Sequence, residues 1–405
     1  MVKRSGWRSV LLLIGAACSG EKITAPGACP EYCATTVIQT SDTVLTGAVL
    51  GDSSFRGYAS APSALQLQIA GGGAVRDSRA IIRFSRFKDT LALNGAADTA
   101  MRAVMQTDSF RIKLNMSART QGVSGALVLY RVPRTVDSLT AYSDLDPYFT
   151  DSMRIASVPV PDIGSRDTLY VPFPASALPT FRDDSLYAAI GVALVSPTAP
   201  AFVSVWAVDA GYGAQLKRYV QVDSVTGVRV VRADSVFTAF DSFVFQPLPA
   251  PAAGALAVGG VPSAHAFLRL NIPKRIVDSS SVVRATLLLV PAEPVPGAPG
   301  DSVRIIPHSV VFDFGPKSPV VSAAADSSVL SGGRAPVGGL DTIRVDVTAI
   351  VRSWHGDTTH ARTVVLTTTP EAGSIGEVRF WSSGNAALRP GIEVTYVRPL
   401  NYGGS

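Results

Sequence analysis

Asp341-Thr-Ile-Arg-Val345 restates Asp167-Thr-Leu-Tyr-Val171, and the recurrence decides how this chain is read. The two aspartates stand 174 residues apart. A tryptophan ends a strand-like run after each, in Phe202-Val-Ser-Val-Trp206 and Glu377-Val-Arg-Phe-Trp381, at an offset of 175. Upstream, Ile81-Ile-Arg-Phe84 answers Phe267-Leu-Arg-Leu270, and Ala126-Leu-Val-Leu-Tyr130 answers Ala285-Thr-Leu-Leu-Leu289. Four landmarks in one order, met twice, predict two copies of one domain.

Inside each copy the period is two. Ala266, Leu268, Leu270 and Ile272 share one face of their run, while Phe267, Arg269 and Asn271 share the other. Ile343, Val345 and Val347 repeat the pattern, and Thr363–Thr367 and Gly391–Tyr396 continue it. Such alternation describes strands covered on one side only. Short strands separated by Gly, Pro and Asp turns predict an all-β chain of two tandem antiparallel β-sandwiches. The expected order is a signal peptide at 1–17, a tether at 18–40, a first sandwich at 41–222, a second at 233–398 and a tail at 399–405. The second copy has the fuller strand pattern, so a fragment of about 230–398 is expected to fold alone. One helical turn interrupts the strands: Ile350, Val351 and Trp354 fall at helical spacing, with Asp346 or Thr348 as cap and Gly356 as stop. The first copy has Ala175-Ser-Ala-Leu178 there, but Pro174 and Pro179 flank it and leave room only for a turn.

The composition agrees. With 405 residues the chain can bury more than one core. Its 47% hydrophobic and 17% charged residues exclude a disordered polyelectrolyte. The net charge of +5 reads as unclustered, with arginines such as Arg83, Arg269 and Arg344 standing singly at solvent-facing strand positions. A nucleic-acid binder concentrates such charge, so no nucleic-acid partner is expected.

The N-terminus reads as an export signal. Lys3, Arg4 and Arg8 precede Val10-Leu-Leu-Leu-Ile14, and Gly15-Ala16-Ala17 leads to Cys18. This resembles the bacterial lipoprotein signal, whose cysteine is acylated and holds the protein on a membrane. Gly15 departs from the leucine preferred in that signal, so cleavage after Ala17 by ordinary signal peptidase stays open. Ser19 in place of aspartate implies the outer membrane by the same resemblance. Cys29 and Cys33 remain, an even pair in an oxidising compartment; a small local disulfide or two free thiols both fit.

The landmarks of the second copy are similar to those of the DNRLRE family of secreted bacterial domains. Those domains have an apolar strand with an arginine, an "sATLxL"-like strand, a "DVTxxVxxW" turn and a closing "RPxLxVxY" strand. Here they read Ala266-Phe-Leu-Arg-Leu270, Arg284-Ala-Thr-Leu-Leu-Leu289, Asp346-Val-Thr-Ala-Ile-Val-Arg-Ser-Trp354 and Arg389-Pro-Gly-Ile-Glu-Val-Thr-Tyr396. The first copy is degenerate, with Val171-Pro-Phe173 replacing the turn and no Arg-Pro before its last strand. The resemblance implies jelly-roll-like sandwiches of the kind appended to surface proteins and polysaccharide-degrading enzymes, with carbohydrate-binding modules among the relatives.

Catalytic patterns do not appear. His265, His308, His355 and His360 fall in unrelated contexts, and no HExxH, GxSxG or phosphate loop occurs. Asp-Ser pairs such as Asp108-Ser and Asp234-Ser read as caps and turns. A structural calcium on loop aspartates and carbonyls fits the composition, with no loop singled out. Trp206, Tyr212 and Trp381 are the candidates for stacking on sugar rings; core packing is the competing reading for both tryptophans, and for Trp354. No enzyme is expected. The leading expectation is a non-catalytic surface lipoprotein whose sandwiches bind polysaccharide or a partner protein. The alternative is a structural or assembly component of the cell envelope with no small ligand.

Overall fold

The computed structural model describes residues 40–398 apart from breaks at 73–76, 94–100, 121–124, 161–167, 179–188, 196–198, 225–226, 248, 298–299, 301, 321–331, 358, 360 and 374. Cys18, Cys29, Cys33, the signal, the tether and the tail therefore lie outside the described residues. Strands hold 54% of the described residues and helical turns 11%, and every strand pairing among them is antiparallel, so the all-β reading holds.

The first repeat runs through β1 (Thr40–Leu45), β2 (Val49–Arg56), β3 (Gln66–Gly71), β4 (Ser78–Phe84), β5 (Thr90–Ala92), β6 (Met101–Arg119), β7 (Ala126–Arg131), β8 (Arg154–Pro159), β9 (Thr168–Pro174), β10 (Ala189–Val195), β11 (Ala201–Trp206) and β12 (Gln215–Asp223). The second runs through β13 (Arg229–Phe245), β14 (Ala255–Gly259), β15 (Ala264–Leu270), β16 (Ser281–Leu289), β17 (Ser302–Ser309), β18 (Gly333–Pro336), β19 (Ile343–Asp346), β20 (Thr363–Thr368), β21 (Glu377–Trp381) and β22 (Gly391–Val397).

The pairings repeat in chain order and correct one landmark: β7, which holds Ala126–Tyr130, has the place of β17, whereas β16, which holds Ala285–Leu289, has the place of β6. In the first copy β12, β6 and β9 lie side by side, and β4, β10, β7 and β8 form the opposing run, with β11 on β3. In the second, β22, β16 and β19 form one sheet, and β15, β20, β17 and β18 the other, with β21 on β14. Each strand answers its counterpart in chain order. One difference is the length of β6: its far end also pairs with β11, so the first copy's layers join into one sheet.

The leading strands are exchanged. β1 pairs with β22, from Thr40 opposite Val397 to Leu45 opposite Ile392, and β2 pairs with β15. Both belong to the second sandwich, although the sequence range 41–222 placed them in the first. Conversely, β13 closes the first sandwich: its first half pairs with β12 and its second half with β4. Each sandwich is thus completed by the strands that lead into the other repeat. The range 230–398 consequently lacks two strands of the second sandwich and carries one of the first. Arg56 locks the exchanged arm in place. Its guanidinium meets Glu377 at 2.5 and 2.7 Å, and Glu377, only 1% exposed, also accepts from Arg379 Nε at 2.7 Å.

The cores follow the alternation. Ala266, Leu268, Leu270, Ile343, Val345, Ile392 and Val394 are buried together in the second sandwich, joined by Val49 of the exchanged arm. Trp354 is in this core, 3% exposed. The turn beneath it spans Thr348–Ser353; its N-cap is Val347 rather than Asp346 or Thr348, and Asp346 Oδ1, one residue earlier, accepts from Thr348 N at 2.9 Å. Gly356 follows at φ +67°, the left-handed conformation that ends a helix. The first copy keeps only the short turn Ala175–Ala177.

One further expectation needs correction. The central strands are covered on both faces: Phe267, read as outward, is buried against Phe55, Val310 and Val365, and Ile81 packs on Val132, Val136 and Leu145. The single arginines keep access to solvent, Arg344 exposed and Arg83 and Arg269 half-buried, and each is also engaged. Arg83 donates to Val136 O, Arg269 pairs with Asp313, and Arg344 pairs with Glu393.

Candidate functional site

In Ser109-Phe-Arg-Ile-Lys-Leu-Asn115, the middle of β6, Phe110, Ile112 and Leu114 enter the first core. Period two then sends Ser109, Arg111, Lys113 and Asn115 outward. Register supplies their neighbours. On β9, Pro172 lies opposite Arg111, Tyr170 opposite Lys113 and Thr168 opposite Asn115. On β12, Tyr219 lies opposite Ser109, Lys217 opposite Arg111 and Gln215 opposite Lys113. β13 adds Ala233, Ser235 and Phe237 beyond them.

This face gathers three cations and three exposed or half-buried aromatic rings. The Arg111 guanidinium carbon is 4.7 Å from the centroid of Tyr170 and 5.8 Å from that of Tyr219. Lys217 Nζ is 5.4 Å from Tyr219. No carboxylate occurs among the cross-strand positions just given. Asp234 points the other way, to the buried Arg218 at 3.2 Å. Arg111 and Lys217 are direct cross-strand neighbours of like charge, an arrangement that costs stability unless something negative lies over it. The rings offset part of that cost, each cation–π contact being worth about 0.5–1 kcal/mol at an exposed site.

At the Asn115 end the face reaches two of the residues selected from sequence. Asn115 Nδ2 donates to Tyr212 O at 2.7 Å, and Thr168 Oγ1 donates to Asn115 Oδ1 at 3.2 Å. Tyr212, 63% exposed, meets Trp206 with ring centroids 6.0 Å apart. Trp206 ends β11 on the face opposite its core residues Val203 and Val205. Its strand neighbours Ser204 and Phe202 line a cleft of about 250 Å³ with Gln66, Gln68 and, from the second sandwich, Arg304 and Thr368. One side of the molecule therefore runs from Tyr219 past Arg111, Tyr170 and Lys113 to Tyr212, Trp206 and the cleft.

The turn that presents Tyr212 is held by a buried acid. Val208 N donates to Asp241 Oδ2 at 2.8 Å. Burial pushes the Asp241 carboxyl up to about 6, against the Val208 hydrogen bond, which lowers it, and with a smaller upward push from Asp209.

Of the residues selected from sequence, Trp206 and Tyr212 come together. Trp381 stands on β21 of the second sandwich, outside this face. Neither Trp206 nor Trp381 is a core residue; both are half-buried at strand ends. The basic face itself was missed. Reading β6 alone puts Arg111 and Lys113 on one side, and reading β12 alone does the same for Lys217 and Tyr219. Their meeting depends on which strands pair. Among the described residues the histidines do not converge: His265 stacks on Tyr58 and bonds Glu371, His308 bonds Thr367, and His355 bonds Val277 O, while His360 lies outside the described residues. Among the described residues no three His, Cys, Asp or Glu side chains gather as metal ligands would. Comparisons with family models, curated proteins and solved structures find no match for this chain.

Proposed function

We propose that this chain is a non-catalytic, lipid-anchored protein of the bacterial outer membrane whose first sandwich binds polysaccharide. The reading extends the resemblance to tandem DNRLRE-like, carbohydrate-binding-module-like domains. The observation that carries it is the open face of β9, β6 and β12 with its line of Tyr219, Tyr170, Tyr212 and Trp206. From Ser109 to Asn115 that face extends about 20 Å at the usual strand rise, enough for several sugar units. Flat rings stack on sugar faces, and the interleaved hydroxyl and amide groups of Thr168, Asn115 and Gln215 suit sugar hydroxyls. Arg111, Lys113 and Lys217 favour chains that carry carboxylate or sulfate groups.

Affinity electrophoresis of the Cys18→Ser chain through gels holding acidic or neutral polysaccharides tests the reading. Retardation by at least one polysaccharide is expected, reduced about tenfold or more in Tyr170→Ala and Trp206→Ala, as loss of a stacking ring implies. Unretarded migration in every gel refutes it and leaves the structural envelope component as the better account. In cells, Cys18→Ser is expected to move the protein from the membrane to the soluble fraction.

A further inference from the structure

The loop 311–320 on the second sandwich holds two phenyl rings in solvent. Phe312 is 53% exposed and Phe314 66%, with centroids 6.0 Å apart. Pro316, Lys317, Pro319 and Val320 are exposed beside them.

Exposed phenylalanines on a slack loop would fold back onto the protein to escape water. This loop is fastened so that they cannot. Asp313, between the two rings, accepts from Arg269 Nε and Nη2 at 2.6 and 3.0 Å, from Thr363 Oγ1 at 3.0 Å and from Gly315 N at 3.1 Å. Ser318 Oγ accepts from Phe314 N at 2.8 Å and donates to Gly315 O at 2.7 Å. Tyr58 Oη donates to Pro316 O at 2.9 Å, and Val310 pairs with Val320 at the base. Alternation within the loop does the rest: the carboxylate turns in and the rings on either side turn out. A fixed apolar tip of this kind is prepared for a partner, since the ordering cost of binding has already been met in folding.

We propose that the Phe312–Phe314 loop inserts into the headgroup and upper acyl region of an anionic lipid bilayer. Three observations select this occupant. The rings are tilted 39° to each other, so they make no flat platform for a sugar. The one carboxylate of the loop is paired inward, so Lys317 leaves the tip positive, complementary to anionic headgroups. The chain that precedes β1 joins this same sandwich: β1 begins at Thr40, and 21 residues, 19–39, separate it from the cysteine read as the lipid site. Even fully extended that stretch reaches only about 75 Å, so an anchor at Cys18 would tie the start of β1 to within that length of a bilayer. The biological setting rests on the lipid anchor proposed above; the insertion itself is testable without it.

The test uses the Cys18→Ser chain, which has no acyl anchor, so failure of the loop and failure of the anchor are read separately. Co-sedimentation with phosphatidylglycerol/phosphatidylethanolamine vesicles is expected, weaker with phosphatidylcholine alone. Phe312→Ser and Phe314→Ser should each lower partitioning about tenfold, the scale of one buried ring, with unchanged thermal melting because both rings are exposed. As a second readout, Phe314→Trp should gain a fluorescence component quenched by brominated lipids. Absence of vesicle binding, binding indifferent to both serine variants, or an unquenched Phe314→Trp signal each overturns the proposal. So does loss of polysaccharide retardation in the serine variants with vesicle binding intact, which would make the loop a glycan contact.

Discussion

Removing the exchanged arm should unfold the second sandwich, although every landmark of its repeat remains. A fragment beginning at residue 249 and ending at 398 lacks β1 and β2. It loses Val49 from the second core, the partly buried Leu45 packed on that core and Phe55 packed on Phe267. At about 1.5–3 kcal/mol for a fully buried side chain, one full and two partial burials amount to roughly 3–6 kcal/mol. Arg56 goes as well, leaving the buried Glu377 with Arg379 as its remaining cation. Loss of one partner from a buried pair costs about 3–5 kcal/mol when nothing replaces it, and Arg379 reduces that figure. The ladders of β1 on β22 and β2 on β15 are also opened, exposing two bare edges. The total approaches the roughly 5–15 kcal/mol by which whole domains are stable. Circular dichroism and tryptophan emission across a denaturant series read the outcome, because Trp354 reports the second core. The fragment should show no cooperative transition, and a peptide of residues 40–57 added in excess should restore one. A fragment that unfolds cooperatively at the midpoint of the full chain, with buried Trp354 emission, would refute the reasoning.

Two further outcomes follow from named side chains. Trp354→Ala should destabilise by about 3–5 kcal/mol, the cost of a large cavity, measured by chemical denaturation; a change under about 1 kcal/mol would contradict its place in the core. Asp241 titrates from an ordinary 3.8 to about 6 in the fold, so the stability linked to its proton is complete below 3.8 and is lost as pH rises through 6. The loss is at most about 3 kcal/mol. Asp241→Asn should therefore melt higher than the parent at pH 8 and alike near pH 3.5; an identical pH profile in both proteins would sink this account.

The repeat, the all-β class and the helical turn over Trp354 were legible because each rests on local chemistry. Alternation in Ala266–Ile272 and Asp341–Val347 needs only a strand with one apolar side, and the turn needs only Asp346, a 3.6-residue stripe and Gly356. The partnership of strands is a different kind of fact. β1 is polar, and nothing in Ser41-Asp-Thr-Val-Leu45 says that its ladder is with β22, some 350 residues away, rather than with its own repeat. β12 and β22 hold equivalent edge places in the two copies, each accepting a leading strand, so local pattern does not choose between them; the connections, the Arg56–Glu377 pair and the packing of Val49 decide. The candidate face has the same origin. Arg111 and Lys113 on β6 and Lys217 and Tyr219 on β12 read from sequence as scattered solvent positions, because an alternating strand reveals which residues point outward but not which strand lies alongside. Only the tertiary register brings Arg111 within 6 Å of the Tyr170 and Tyr219 rings, and only the tertiary contacts of the loop, the inward turn of Asp313 first among them, hold Phe312 and Phe314 out in water.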